Sequence, residues 1–71
     1  MEDFLAKRLR QARVDTGMNQ RDFADKLGIG LRTLRNFENG RFPPKLKDVQ
    51  AYAAVTGKSF DYFLSSEGTT P

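Results

Sequence analysis

The side chains best equipped for chemistry in this 71-residue chain are its cations, and they are unevenly placed. Residues 29–47 hold Arg32, Arg35, Arg41, Lys45 and Lys47 against a single acid, Glu38, a local net charge of +4. The remainder, seven bases against eight acids, comes to −1, so the overall +3 conceals a concentrated excess. Guanidinium forks and ammonium groups gathered in this way suit phosphate oxygens and the acceptor edges of bases. A solvated basic face has the same composition, and charge alone leaves both readings open. Catalysis has far less to work with. There is no cysteine and no histidine, which removes thiol nucleophiles, thiolate metal sites, disulfides and the commonest general base. No pair of carboxylates, nucleophile–base pair or phosphate loop is visible. Gly28-Ile29-Gly30 lacks the strand–turn–helix setting and the further glycine of a dinucleotide fingerprint. The expectation is therefore a binding protein and not an enzyme, with no cofactor, no metal and no evident small-molecule ligand.

Helices must carry these cations. In residues 3–16, Leu5, Leu9, Ala12 and Thr16 recur at helical spacing, with Lys7, Arg8, Arg10 and Gln11 mostly on other faces. Gly17 is the expected stop. Asn19 suits an N-cap for a short helix from Gln20 to Leu27 that turns Phe23, Ala24 and Leu27 inward, and Gly28 interrupts it. A third helix is predicted over 31–39, with Leu34 and Phe37 buried, ending at Gly40. Arg41-Phe42-Pro43-Pro44 must be a loop, because two prolines cannot sit inside a helix. Leu46, Val49, Tyr52 and Ala53 mark a fourth helix that ends at Gly57. Ser59 caps a short fifth helix holding Phe60, Tyr62, Phe63 and Leu64. The fold class is thus all-α, five helices in one compact bundle. The domain is expected over 1–64, with 65–71 as a flexible tail. No apolar run reaches the roughly 18 residues of a membrane span. Met-Glu-Asp-Phe-Leu has neither the basic nor the apolar region of a secretory leader, so a cytoplasmic location is expected.

The informative unit is residues 20–37. Two short helices crossing steeply through a tight turn need a small residue at their close approach, which Ala24 supplies. They need a residue tolerant of positive φ at the turn, which Gly28 supplies. Apolar side chains must fill the angle between them, and Phe23, Leu27, Ile29, Leu34 and Phe37 stand at the required offsets. Together these features define a helix-turn-helix. With Leu9, Arg13, Gly17, Gln20, Ala24, Gly28, Leu34, Glu38, Gly40, Pro44 and Val49 as its skeleton, the chain resembles the lambda-repressor/Cro-like helix-turn-helix domains over about residues 5–64. The combination Gln20-x3-Ala24-x3-Gly28 followed by Glu38-x-Gly40 is specific.

The resemblance implies binding to double-stranded DNA as a repressor or related regulator, with the third helix in the major groove. Gln20 takes the position that touches a phosphate and braces this helix. Leu31, Arg32, Arg35 and Asn36 match groove-facing positions, and Thr33 joins them in the DNA-contacting set. Asn39, Arg41 and Lys45 match backbone-contacting positions. Arg13 and Glu38 match an arginine and a glutamate that form a largely buried salt bridge. Two residues depart from the pattern. Gly30 stands where Ser or Thr often caps the recognition helix, and Leu31 where a polar residue is frequent. Leucine reads no base by hydrogen bond; it serves a thymine methyl or a protein partner. A protein-interaction module or antitoxin on the same scaffold is therefore the alternative reading. A domain this small covers few base pairs, so a homodimer on DNA is expected. Phe60, Tyr62, Phe63 and Leu64 crowd the last helix and are the expected interface.

Overall fold

A computed structural model describes residues 3–64, which form five helices and no strand. The elements are α1 Phe4–Thr16, α2 Gln20–Leu27, α3 Leu31–Glu38, α4 Leu46–Thr56 and α5 Phe60–Leu64. The expected tail at 65–71 lies outside the described residues.

Each helix begins and ends where local chemistry demands. Asp3 precedes α1 as its N-cap, its carboxylate accepting from the Ala6 N–H at 3.1 Å, so it stands just outside the helix and not in its first turn. Asn19 caps α2 through its side-chain oxygen, 2.8 Å from the Asp22 nitrogen. At α3 the cap is Gly30, which offers no side-chain oxygen. That helix ends one residue before the predicted Asn39, which serves as its C-cap. The Asp48 carboxylate accepts from the Lys45 N–H at 3.0 Å at the start of α4. Ser59 Oγ accepts from the Tyr62 N–H at 3.2 Å at the start of α5.

The core gathers Leu9 and Ala12 of α1, Phe23 and Ala24 of α2, Leu34 and Phe37 of α3, Val49 and Tyr52 of α4, and Phe63 of α5. Tyr52 is its hub: its ring lies 5.0 Å from that of Phe23 and 6.0 Å from that of Phe63, both inclined, as ring quadrupoles prefer. Ala24 is buried at the α2–α3 angle, and Leu27 and Ile29 pack against the core from its edge. Leu46, in the first turn of α4, is 61% exposed. Phe63, expected at an intermolecular interface, is fully buried and completes the core; Leu64 alone of the four apolar residues of α5 is exposed, and Phe60 and Tyr62 are half-buried.

Gly28 and Gly40 both adopt positive φ, +75° and +77°. A Cβ at Gly28 would meet nothing within 4 Å, whereas at Gly40 it would sit 3.1 Å from the Cβ and Oδ2 of Asp3, the cap of α1. Left-handed backbone costs an L-residue about 1–2 kcal/mol. Gly28→Ala is expected to lose that amount, and Gly40→Ala measurably more, since it also displaces the α1 cap. Urea unfolding of the two variants checks the order; equal losses would show that Asp3 moves aside at no cost.

Candidate nucleic-acid interface

α3 is anchored by one side only. Leu34, Phe37 and Glu38 are buried, while Arg32, Thr33 and Arg35 are exposed and Leu31 and Asn36 half-buried at the margins. Beyond its end, Asn39, Arg41 and Lys45 are exposed. The connection is shaped by backbone bonds: the Asn39 N–H donates to the Arg35 carbonyl at 2.9 Å, and the Arg41 N–H to the Asn36 carbonyl at 2.9 Å. Arg41 is thereby held against the last turn of α3.

Beneath this face lies a buried carboxylate. Glu38 is 2% exposed and the only buried charged residue among those described. Its Oε2 accepts from Arg13 Nε at 2.8 Å, and the two side chains are 1% and 12% exposed. Arg13 Nη1 also donates to the Met18 carbonyl at 3.0 Å, tying the α1–α2 turn to the same guanidinium. Tyr52 Oη, 3.5 Å from Glu38 Oε2, approaches from α4. Burial, and then the neighbouring Glu38 charge, push the Tyr52 phenol well above its ordinary pKa, so it stays protonated as a donor.

The other Glu38 oxygen leads back to the surface. Gln20 Nε2 donates to Glu38 Oε1 at 3.3 Å, and Gln20 Oε1 accepts from Arg35 Nε at 3.4 Å. Gln20 thus spans the interior and the exposed face of α3. A carboxylate only accepts, so the amide must turn its NH₂ inward and present oxygen to Arg35. With Nε engaged, the two terminal nitrogens of Arg35 remain for a ligand. The structure therefore brings together Arg13, Glu38, Gln20 and Arg35, whereas Lys45 stands apart from this network at the start of α4. One participant escaped sequence reasoning. Tyr52 carried one signal, a phenol at a core position that needs a polar partner. Gln20 was placed by the resemblance as a brace of α3, and only its particular partners, 18 and 15 residues away, lacked a local signal.

A two-helix unit crossing at a glycine turn, with cations along the open side of its second helix, defines a helix-turn-helix DNA-binding domain. The helix-turn-helix family matches residues 9–63. The chain belongs to this family, in its lambda-repressor/Cro-like branch, whose members are DNA-binding regulators and not enzymes. It is 33% identical over 63 residues to the HTH-type transcriptional regulator ImmR of Bacillus subtilis (strain 168), covering 89% of this chain and 50% of the relative. It is 30% identical over 64 residues to the cryptic phage CTXphi transcriptional repressor RstR of Vibrio cholerae, covering 90% of this chain and 58% of the relative. The chain thus spans only about half the length of these relatives. No solved structure gives a significant match. Among the described residues no helix is long and apolar enough to cross a membrane.

Removing one member of the buried pair strands the other charge. Glu38→Ala is expected to destabilise the domain by roughly 3–5 kcal/mol, a large share of the stability of so small a fold. Arg13→Met with Glu38→Leu should recover much of that loss, because no unpaired charge remains. A double-mutant cycle by urea unfolding measures the coupling. A value near zero, with both single variants as stable as the parent, would make the two residues independent.

Proposed function

We propose that the chain is a sequence-specific regulator of transcription, a repressor or Cro-like switch, that lays α3 in the major groove of double-stranded DNA. One observation carries this reading: α3 buries Leu34, Phe37 and Glu38 while leaving Arg32, Thr33 and Arg35 open. Such a helix is rigidly seated and has a cationic edge that faces solvent, with Arg35 engaged internally through its Nε to Gln20. Arg32 and Arg35 are the base readers, with Leu31 against thymine methyl groups and Thr33 and Asn36 beside them. Asn39, Arg41 and Lys45 hold phosphates and set the register, while Gln20, its amide engaged by Glu38 and Arg35, braces α3 beside them. The regulator and repressor roles in the names of the two relatives agree with this assignment.

The reading includes a homodimer on DNA, since one domain covers too few base pairs for tight discrimination. Its contact is assigned to the exposed Leu64 with the half-buried Phe60 and Tyr62. Part of Tyr62 is already used internally, with Arg8 4.5 Å and Lys58 5.0 Å from its ring centre. Two half-sites should then lie about 34 Å apart, one helical turn.

Selection from a random oligonucleotide pool, followed by footprinting, tests both parts. The expected site is a repeated half-site with two chains bound. A fork from Arg35 to guanine contributes roughly 1–3 kcal/mol of discrimination. Arg35→Ala should therefore weaken the selected site more than random duplex. Equal losses would reduce Arg35 to a phosphate contact, and a single unrepeated half-site would remove the dimer.

A further inference from the structure

The segment between α3 and α4 carries a group that charge recognition leaves unused. Phe42 is 53% exposed and Leu46 61% exposed. Along the chain they are interleaved with Arg41, Lys45 and Lys47, all exposed. Single apolar residues on a surface are ordinary, but Phe42 sits in an unusual setting. The loop bearing it is stiff at both ends. The Arg41 N–H is bonded to the Asn36 carbonyl, Gly40 turns the chain at φ +77°, and the Asp48 carboxylate holds the Lys45 N–H. Pro43 and Pro44 fix their own φ angles between these points. The exposed ring is therefore presented by an ordered loop that leads directly out of α3.

The surrounding charge narrows the occupant. A second copy of this patch fits poorly, because a two-fold contact would bring each set of three cations against its like. The partner must offer apolar surface interleaved with negative charge. A sugar–phosphate strand does so, with a deoxyribose face between successive phosphates. We infer that Phe42 packs its ring on a deoxyribose of the strand whose phosphates Arg41 and Lys45 hold. This rests on the proposed placement of α3 in the groove and extends the interface to an uncharged, sequence-independent contact. Its role is positional: a ring seated on the strand limits how the end of α3 approaches the duplex.

Binding to a fluorescent mixed-sequence duplex of about 30 base pairs, long enough for two half-sites, tests the inference across a salt series. Covering the exposed half of a phenylalanine is worth roughly tenfold in affinity. Phe42→Ala should lose about that factor on any duplex, with the slope of log affinity against log salt unchanged, and Phe42→Leu should retain most of the binding. Arg41→Ala, by contrast, should flatten the slope by about 0.9, one phosphate contact. Phe42→Ala should keep the parent's urea midpoint, since the ring is exposed. Affinity equal to the parent's would overturn the inference, as would a loss accompanied by weaker self-association in sedimentation without DNA, which would assign Phe42 to a second copy. If the parent binds no duplex, the proposed function falls and this contact with it; if the parent binds and Phe42→Ala is neutral, only this contact falls.

Discussion

The arrangement depends on one buried negative charge. An ionised carboxylate removed from water is unfavourable unless cations and donors replace its hydration. Glu38 obtains them from three other helices: Arg13 of α1, Gln20 of α2 and Tyr52 of α4. Apolar burial alone would hold these helices together in many related packings, since it is non-directional. A packing that leaves Glu38 without Arg13 carries an uncompensated charge in the interior and is heavily disfavoured. The pair therefore contributes little net stability compared with an apolar replacement, but it restricts how α1 and α3 can meet.

That restriction reaches the surface through Gln20. The acceptor-only carboxylate fixes the sense of the amide, and the amide oxygen then engages Nε of Arg35 at 3.4 Å. A free arginine samples many rotamers and must give them up on binding, at roughly 0.5–1.5 kcal/mol for such a side chain. Arg35 has surrendered part of that freedom within the folded domain. The chain of contacts Arg13–Glu38–Gln20–Arg35 thus links the interior packing of α1 and α3 to the orientation of an exposed guanidinium. The Gly28 turn makes this possible, because it sets the start of α2 beside α3.

Most of the fold was legible because its signals are local. Asn19, Gly28, Gly40 and the Pro43–Pro44 pair act on their own neighbours, and they set element ends to within a residue. The faces of α2 and α3 were equally clear, since Phe23, Leu34 and Phe37 repeat at helical spacing against polar residues. Periodicity failed where contrast was lacking. In α5, Phe60, Tyr62, Phe63 and Leu64 surround the axis, so nothing in the pattern says which one enters the core; contact with Tyr52 selects Phe63. The Arg13–Glu38 pairing was implied by the family pattern alone, since the two residues are 25 positions apart. The approach of Tyr52 to the same carboxylate depends on how α4 crosses α3, which no local rule specifies.

The buried pair also alters what the basic segment presents to water. Counted along the chain, residues 29–47 carry five bases and one acid. In the folded domain the acid is Glu38, which faces inward and is neutralised by Arg13, a residue from outside the segment. All five bases, Arg32, Arg35, Arg41, Lys45 and Lys47, are exposed. The segment thus shows the solvent an effective charge nearer +5 than +4. Elsewhere Asp15 holds Lys58 at 3.0 Å, so a surface cation away from α3 is already compensated. At physiological ionic strength the screening length is about 8 Å, so a polyanion senses this asymmetry only when close, where it affects orientation as well as attraction. The same Glu38 that fixes the packing of α3 therefore removes the only acid from the surface of the segment that α3 and its following loop expose.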